Sequence, residues 1–423
     1  MPLKIIICGS GIGGLSAAGY LRAKHHVTIL ERGTLDFTVN DYGMSIVSNA
    51  FNLLQRAGIN PQNLDMVVPT HVWRRTPNNE EGKTSHFDTR ARFKGAPSVL
   101  VKRAKLQGEL MRFATSPEFA GAPAEVIQNA KVTKVDTAAG KVWTEDGRLF
   151  EGDLIIGADG INSVVRAAIL GDQDISASVK TYDSLAFMTQ LSIEDIRSDP
   201  SFDYLSDPAT QAGLASAQAS SGPQVNKHII AYHTSLNSLQ VFGYTSEKEF
   251  SEQFDSAKTA IIKDVPASRV IEEFAPEFGE GFINLFRHNT KIDAWRIRDV
   301  AAMDNWFSGK ALLIGDAAHA VTPLAGQGSN MTIEDAEALG YLLRDVDSPD
   351  AIPDILRKFM SLRKDRVDLV RRRSHEIGGI QEEGHEGRKR ISPEEFARKI
   401  DTYQGVEQAL NGPKHPGRGR HPK

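Results

Sequence analysis

A short apolar run that breaks into closely spaced glycines constrains this chain more than any other feature. Lys4-Ile5-Ile6-Ile7-Cys8 reads as a strand buried on both faces, and Gly9-Ser10-Gly11-Ile12-Gly13-Gly14 follows it directly. Leu15 to Ala23 then carries Ser16, Ala17, Ala18 and Gly19, small residues suited to a helix packed tightly on a sheet. Val27-Thr28-Ile29-Leu30 reads as a second strand ending at Glu31. The opening is therefore βαβ, with Gly9-x-Gly11-x-x-Gly14 at its first turn. Gly9 permits the tight turn, Gly11 lets a pyrophosphate approach the backbone, and Gly14 lets helix and strand close up. The helix N-terminus offers N–H groups and partial positive charge to phosphates, worth up to ~2 kcal/mol when partly buried. Glu31, 22 residues after Gly9, can accept hydrogen bonds from an adenosine ribose, and its charge argues against a 2′-phosphate there.

The remainder bounds the class of protein. The 423 residues leave room for two domains or one large one with insertions. At 25% charged and 40% hydrophobic residues the composition is globular. A net charge of −4 offers no cationic face to nucleic acid or anionic lipid. One cysteine, Cys8, excludes a disulfide framework and a Cys-rich zinc site and fits a reducing compartment. No apolar run approaches the ~18 residues needed to span a bilayer, and residues 4–8 are too short for the apolar region of a signal peptide. The expectation is a soluble, cytoplasmic protein.

Further along, Ala50, Leu53, Leu54 and Ala57 repeat at helical spacing and Gly58 closes them. Residues 70–100 read as loops or edge strands. Val99 to Val101 is a strand leading into a helix that starts at Arg103. Three short antiparallel strands are expected at Val132–Val135, Lys141–Thr144 and Arg148–Phe150. Residues 175–290 lean towards strands. Pro353 to Arg373 is helical, with Ile355, Phe359, Leu362 and Leu369 on one face and a basic outer face. Ser392-Pro393-Glu394-Glu395 caps one short helix in an otherwise polar tail, and Asn411 to Lys423 reads as disordered.

Two more segments carry chemistry. Asp153-Leu-Ile-Ile-Gly-Ala-Asp159-Gly-Ile-Asn-Ser-Val-Val-Arg166 is a buried strand entering an Asp-Gly turn. Lys310-Ala-Leu-Leu-Ile-Gly-Asp316-Ala-Ala-His319 is a buried strand ending at a carboxylate, followed by Pro323 and the turn Gly326-Gln327-Gly328-Ser329-Asn330 onto a helix. With the opening turn, these resemble the three flavin motifs of the group A FAD-dependent aromatic monooxygenases, the family of salicylate and para-hydroxybenzoate hydroxylases. The resemblance spans most of residues 1–375.

That resemblance implies an α/β fold: a Rossmann-type FAD-binding domain with an inserted, mostly antiparallel β-sheet substrate domain and C-terminal helices. The expected division is residues 1–70, 99–175 and 290–375 for FAD binding, 71–98 and 176–289 for substrate, and 376–423 for the tail. FAD is expected to meet Gly9, Gly11, Gly13, Gly14, Glu31, Arg32, Gly43, Ser45, Arg103, Gln107, Asp159, Asp316, Gly326, Gly328, Ser329 and Asn330, with Pro323 lining the substrate side. NADH or NADPH would reduce the flavin, O₂ would add at C4a, and the resulting hydroperoxide would hydroxylate an electron-rich aromatic ring. Oligomeric state is not legible.

His228 and Tyr232 stand at i and i+4 of an expected strand and so face one way. They resemble the His and Tyr that line the substrate site of some relatives, where a base of pKa near 7 would favour the phenolate. These two are the candidate catalytic residues; no metal site is expected. Some relatives carry an arginine for an anionic substrate where Ser184 to Leu191 offers Met188 instead, so a phenol or a larger ring system fits better. A flavin reductase or halogenase on the same fold, or a flavin-binding protein without catalysis, are the alternatives.

Overall fold

In the computed structural model, the described residues are 1–39, 41–78, 83–86, 97–171, 178–202, 205, 213–220, 226–250, 259–380 and 389–411. The opening strand Lys4–Cys8 is the centre of a six-stranded sheet. It pairs in parallel with His26–Leu30 on one side and Leu154–Gly157 on the other. Glu125–Ile127 extends the first side, and Ala311–Leu313 with the antiparallel Phe307–Ser308 extends the second. The chain thus leaves its central strand in one direction and returns on the other. That reversal opens a crevice at the carboxyl ends of the strands, the place where open α/β sheets bind ligands. Ile5, Ile6, Ile7, Ile155, Ile156, Leu312 and Leu313 fill the sheet interior.

Helix Ile12–Leu21 lies between Arg103–Thr115 and Gly328–Leu343. Small residues make the approach possible: a Cβ on Gly19 would fall 2.1 Å from the Phe113 ring, and one on Gly340 2.6 Å from Tyr20.

The second sheet has eight strands in the order Ile261–Pro266, Lys291–Val300, Val179–Ser192, Ser238–Thr245, Asn226–Ser235, Gly213–Ser220, His71–Arg75 and Lys83–His86. All pairs are antiparallel except Gly213–Ser220 with His71–Arg75. One face buries Phe187, Ile229 and Val241 under helices Ala267–Phe274 and Glu280–Arg287. Those two helices were not anticipated from the sequence. The other face turns to the first sheet's crevice, against the two-stranded ribbon Gly43–Ile46 and Val99–Lys102.

Two expectations need correcting. The long helix runs Ile352–Gly378 and buries Leu356, Phe359, Arg363, Val367, Val370 and Arg371, so its inward face is rotated from the stripe Ile355, Leu362 and Leu369 and includes arginines. The tail holds two helices, Pro393–Asp401 and Val406–Asn411, and it is docked. Val406 donates to Glu337, the Tyr403 hydroxyl donates to Glu337 Oε2, and Arg366 stacks 4.3 Å over the Tyr403 ring. The expected disorder beyond residue 411 falls outside the described residues. Among the described residues no helix is long and apolar enough to cross a membrane, and no His/Cys/Asp/Glu group could hold a metal ion.

Candidate active site

The glycine turn shows the close backbone packing expected of Gly9 and Gly14. Gly9 adopts φ +103°, and a Cβ there would sit 2.5 Å from the Ala158 carbonyl oxygen. A Cβ on Gly14 would fall 1.9 Å from the Gly9 oxygen, and one on Gly13 2.9 Å from Thr332. Gly11 faces open space, with nothing within 4 Å of such a Cβ. It is the N-cap of helix Ile12–Leu21, which has no side-chain cap and no acid in its first turn. That bare helix end is suited to phosphate. Glu31 Oε2 accepts from Ser10 N at 2.9 Å and Ser10 Oγ at 2.7 Å, and Oε1 accepts from Gly33 N at 2.9 Å. Oε1 therefore keeps a lone pair for a further hydroxyl. Arg32 lies exposed beside it.

Across the crevice, Arg103 begins its helix with its N–H given to Tyr42 O at 2.9 Å and its guanidinium 5.7 Å over the Tyr42 ring. It forms no ion pair among the described residues. Asp316 is close enough to interact with it electrostatically. The Asp316 carboxylate is enclosed by protein yet keeps an open face towards the crevice. Enclosure raises its pKa, while His319 and Arg103 pull the other way. Gln107, one turn beyond Arg103, is buried with its Oε1 unpartnered, and so is Gln327 at the start of helix Gly328–Leu343. Buried polar atoms without partners are rare. Together with the open Gly11 and the uncapped helix ends, they fit a bound dinucleotide flavin better than an empty groove.

Other candidate residues hold the protein to itself. The Asp159 carboxylate accepts from Ser163 Oγ (2.5 Å), Val164 N (2.7 Å) and Val165 N (3.2 Å), so it caps helix Val164–Leu170, and its backbone rather than its side chain abuts Gly9. Arg166 is fully buried and donates to Ala317 O at 3.0 Å, Ile161 O at 2.5 Å and Ser178 Oγ at 3.2 Å. It ties the second motif to the residue after Asp316. Asn330 accepts from Val47 N and donates to Ser45 O and Gly326 O. Its side chain links the ribbon to the third motif and has no donor left. Gly326 takes φ +63° and faces open space, Ser329 is half-buried, and Pro323 is exposed.

Beneath this lies an ionic network that the sequence reading missed. Glu334, Asp335 and Arg363 are each wholly buried. Arg363 pairs with Glu334 at 2.5 Å and Asp335 at 2.8 Å, Arg366 with Glu334 at 2.7 Å, and Asn49 Nδ2 donates to Glu334. Asp335 also accepts from Gly315 N at 3.0 Å and meets His319 Nε2 at 2.6 Å. Burial alone would raise both acids; Arg363, with Arg366 for Glu334 and His319 for Asp335, holds them below the usual carboxylate range. Adjacent acids inside the apolar stripe Ile333, Ala336, Leu339 were the available signal, because buried acids demand a cation.

The facing sheet supplies rings. His228 and Tyr232 do share a face, in a row with Tyr244 and Phe242: centroid distances are 6.1 Å for His228–Tyr244, 6.2 Å for Phe242–Tyr244 and 5.9 Å for Tyr232–Phe242. Tyr182, Trp295 and Leu324 pack around this row. Tyr182, Phe242 and Tyr244 were not singled out in the sequence, although aromatics two apart at Phe242 and Tyr244 are a strand-face signal. Trp295, in a Trp-x-x-Arg segment that resembles one in the same family, reads from the sequence as structural and packs here against the row. The two candidate catalytic groups behave differently from expectation. Burial pushes the His228 pKa down to about 4 rather than near 7. The Tyr232 hydroxyl donates to Gly43 O at 2.7 Å, and burial with nearby Tyr244 and Tyr42 raises its pKa. Gly43 N in turn donates to Gln240 Oε1 at 2.9 Å, and a Cβ on Gly43 would meet Thr234 at 2.2 Å.

Residues 3–374 match the model of the family described as "FAD binding domain". The chain is 30% identical over 388 residues to hispidin-3-hydroxylase of Neonothopanus nambi, covering 88% of each. It is 26% identical over 419 residues to 3-hydroxybenzoate 6-hydroxylase 1 of Aquipseudomonas alcaligenes, covering 96% of this chain and 98% of that one. The solved substrate complex of salicylate hydroxylase shares the fold, with a TM-score of 0.69 over 97% of this chain and 95% of that one at 19% identity.

Proposed function

We propose, for a chain that belongs to the FAD binding domain family, the hydroxylation of an electron-rich aromatic compound with NADH or NADPH and O₂. The enzyme is an FAD-dependent aromatic hydroxylase. FAD, when bound, would supply the redox chemistry, hydride uptake from the nicotinamide nucleotide and transfer of one oxygen atom of O₂ to the ring with the other leaving as water.

The chain's own residues do the rest. The open Gly11 turn and its helix take the pyrophosphate, and the free lone pair of Glu31 takes a ribose hydroxyl. Arg103 and Gln107 reach the phosphate and ribityl region, and Asp316 accepts a ribityl hydroxyl. The start of helix Gly328–Leu343 stabilises negative charge at the pyrimidine end of the flavin. The aromatic row excludes water and holds the substrate ring flat. His228, neutral at pH 7, accepts a hydrogen bond from a phenolic hydroxyl. Tyr232 acts through Gly43, fixing the ribbon rather than moving a proton. A reducing, cytosolic setting fits one cysteine, Cys8, that is fully buried.

The observations that support this reading are an open Gly11 turn at the end of the central strand, Arg103 within electrostatic reach of Asp316, and a row of rings on the second sheet. Purified protein is expected to be yellow, with NAD(P)H consumption that rises on adding a suitable phenol and a product heavier by one oxygen. Consumption indifferent to every aromatic would point to a reductase, and colourless folded protein that takes up no FAD would contradict the reading.

A further inference from the structure

A cavity of about 340 Å³ opens on the crevice-facing side of the larger sheet, beyond the aromatic row. The strands grade from apolar to polar as they enter it. Ala186 stands opposite Tyr244 and Trp295; two residues on, Met188 stands opposite Phe242 and Asp293; two further on, Gln190 stands opposite Gln240. Residues two apart share a face, so one surface runs unbroken from the rings into the cavity. Trp295 belongs to both, as it packs with the aromatic cluster and lines the cavity wall. The Tyr42 ring lies 6.2 Å from Trp295 and beneath Arg103, so the cavity is one ring away from the cofactor crevice.

Its polar groups are mostly acceptors, with three carboxylates, Asp41, Asp264 and Asp293, against one ammonium, Lys291. Gln190 gives its amide N–H to Asp41 O at 2.7 Å, and Asn289 gives its own to Thr189 Oγ1 and Gln190 O at 2.6 and 3.2 Å. Both amide oxygens remain available among the described residues. Lys291 pairs with Asp264 at 3.3 Å, and Asp293 pairs with Lys263 at 2.6 Å. The one cation that lines it, Lys291, is shared with Asp264 in an exposed pair, and with Asp41 and Asp293 the carboxylates of the lining outnumber it, which disfavours a carboxylate or phosphate. An ammonium group would share the space with Lys291. The volume corresponds to about eleven waters at ~30 Å³ each, room for one substituted ring.

We propose that the cavity binds the distal, hydroxyl-bearing end of an elongated phenolic substrate whose reacting ring lies on the aromatic row. This rests on the hydroxylase reading above and narrows its substrate to two-ring phenols with an uncharged hydroxyl donor at the far end. Compact phenols and aromatic acids leave the cavity empty.

The test uses the FAD-loaded enzyme and four probes: 4-hydroxystilbene and its analogues bearing a hydroxyl, an alkyl amine (aminomethyl, an ammonium at pH 7) or a carboxylate at the far 4′ position. KM is read from stimulated NAD(P)H consumption and affinity from the flavin absorbance change on titration. The dihydroxy compound is expected to bind about 10-fold more tightly than 4-hydroxystilbene, the equivalent of one net hydrogen bond. Asn289→Phe, which fills the cavity, should abolish that preference while flavin content stays at the wild-type level. Equal affinities in the wild type, a preference that survives Asn289→Phe, or tighter binding of the amine or carboxylate would each overturn the proposal while leaving an aromatic hydroxylase intact. Failure of every phenol to stimulate NAD(P)H consumption would overturn the hydroxylase reading itself, and this proposal with it.

Discussion

On the glycine-rich side of the crevice a frame of polar side chains is bound to other parts of the chain and leaves only a few polar groups, such as the Gln107 and Gln327 amide oxygens, without partners, whereas the sheet opposite presents a row of rings. Asp159, Arg166, Asn330, Glu334 and Asp335 are all engaged within the protein. Their work is to hold backbone at fixed positions, which is what a permanent cofactor with many polar atoms requires. The aromatic row buries area without dictating one hydrogen-bond pattern, so it fixes the plane of a substrate and leaves its identity to the surrounding pocket. A rigid polar frame and an adaptable apolar floor thus meet across one gap.

The sharpest way to break this contrast is at Arg363. Arg363→Ala strands Glu334 and Asp335 as buried unpaired acids and is expected to cost about 3–5 kcal/mol, read by urea unfolding. A loss under ~1 kcal/mol would mean the network is not the frame described. On the ring side the expected effect depends on pH. Because His228 has its pKa depressed from 6.5 to about 4, the unfolded chain takes up the proton first as pH falls. Stability drops between about pH 6.5 and 4, by up to roughly 3 kcal/mol, and is unaffected above that window. His228→Phe should flatten this part of the stability profile relative to wild type; an unchanged slope would place His228 in water. The smallest effect is expected at Tyr232. Tyr232→Phe leaves Gly43 O without its donor and should cost about 1–2 kcal/mol, with flavin content unchanged and hydroxylation slowed through the displaced ribbon. Wild-type turnover and stability would remove Tyr232 from the site.

What the sequence displayed, and what it hid, follows the same divide. Gly9, Gly14 and Asp316 were legible because strained turns and strand-end carboxylates are local demands on the backbone. The shared face of His228 and Tyr232 was legible too, since strand periodicity is local. Their environment was not: the acceptor of the Tyr232 hydroxyl is Gly43, 189 residues away, and the burial that depresses His228 comes from packing against other elements. The long helix was read with its arginines outward because Arg363 has no reason to point inward until Glu334 and Asp335, on another helix, are placed beside it. Helices Ala267–Phe274 and Glu280–Arg287 were missed where strand-like stretches on either side dominated the pattern.

Flavin content in Asp316→Ala bears most directly on whether distant segments converge on one cofactor. Loss of one charge-assisted hydrogen bond of about 1.5–3 kcal/mol corresponds to FAD binding weakened about 10–100-fold. The variant should therefore purify folded, by circular dichroism, but depleted of flavin, and regain colour only in excess FAD. A folded Asp316→Ala protein carrying its full complement of tightly bound FAD would show that this carboxylate does not face the cofactor.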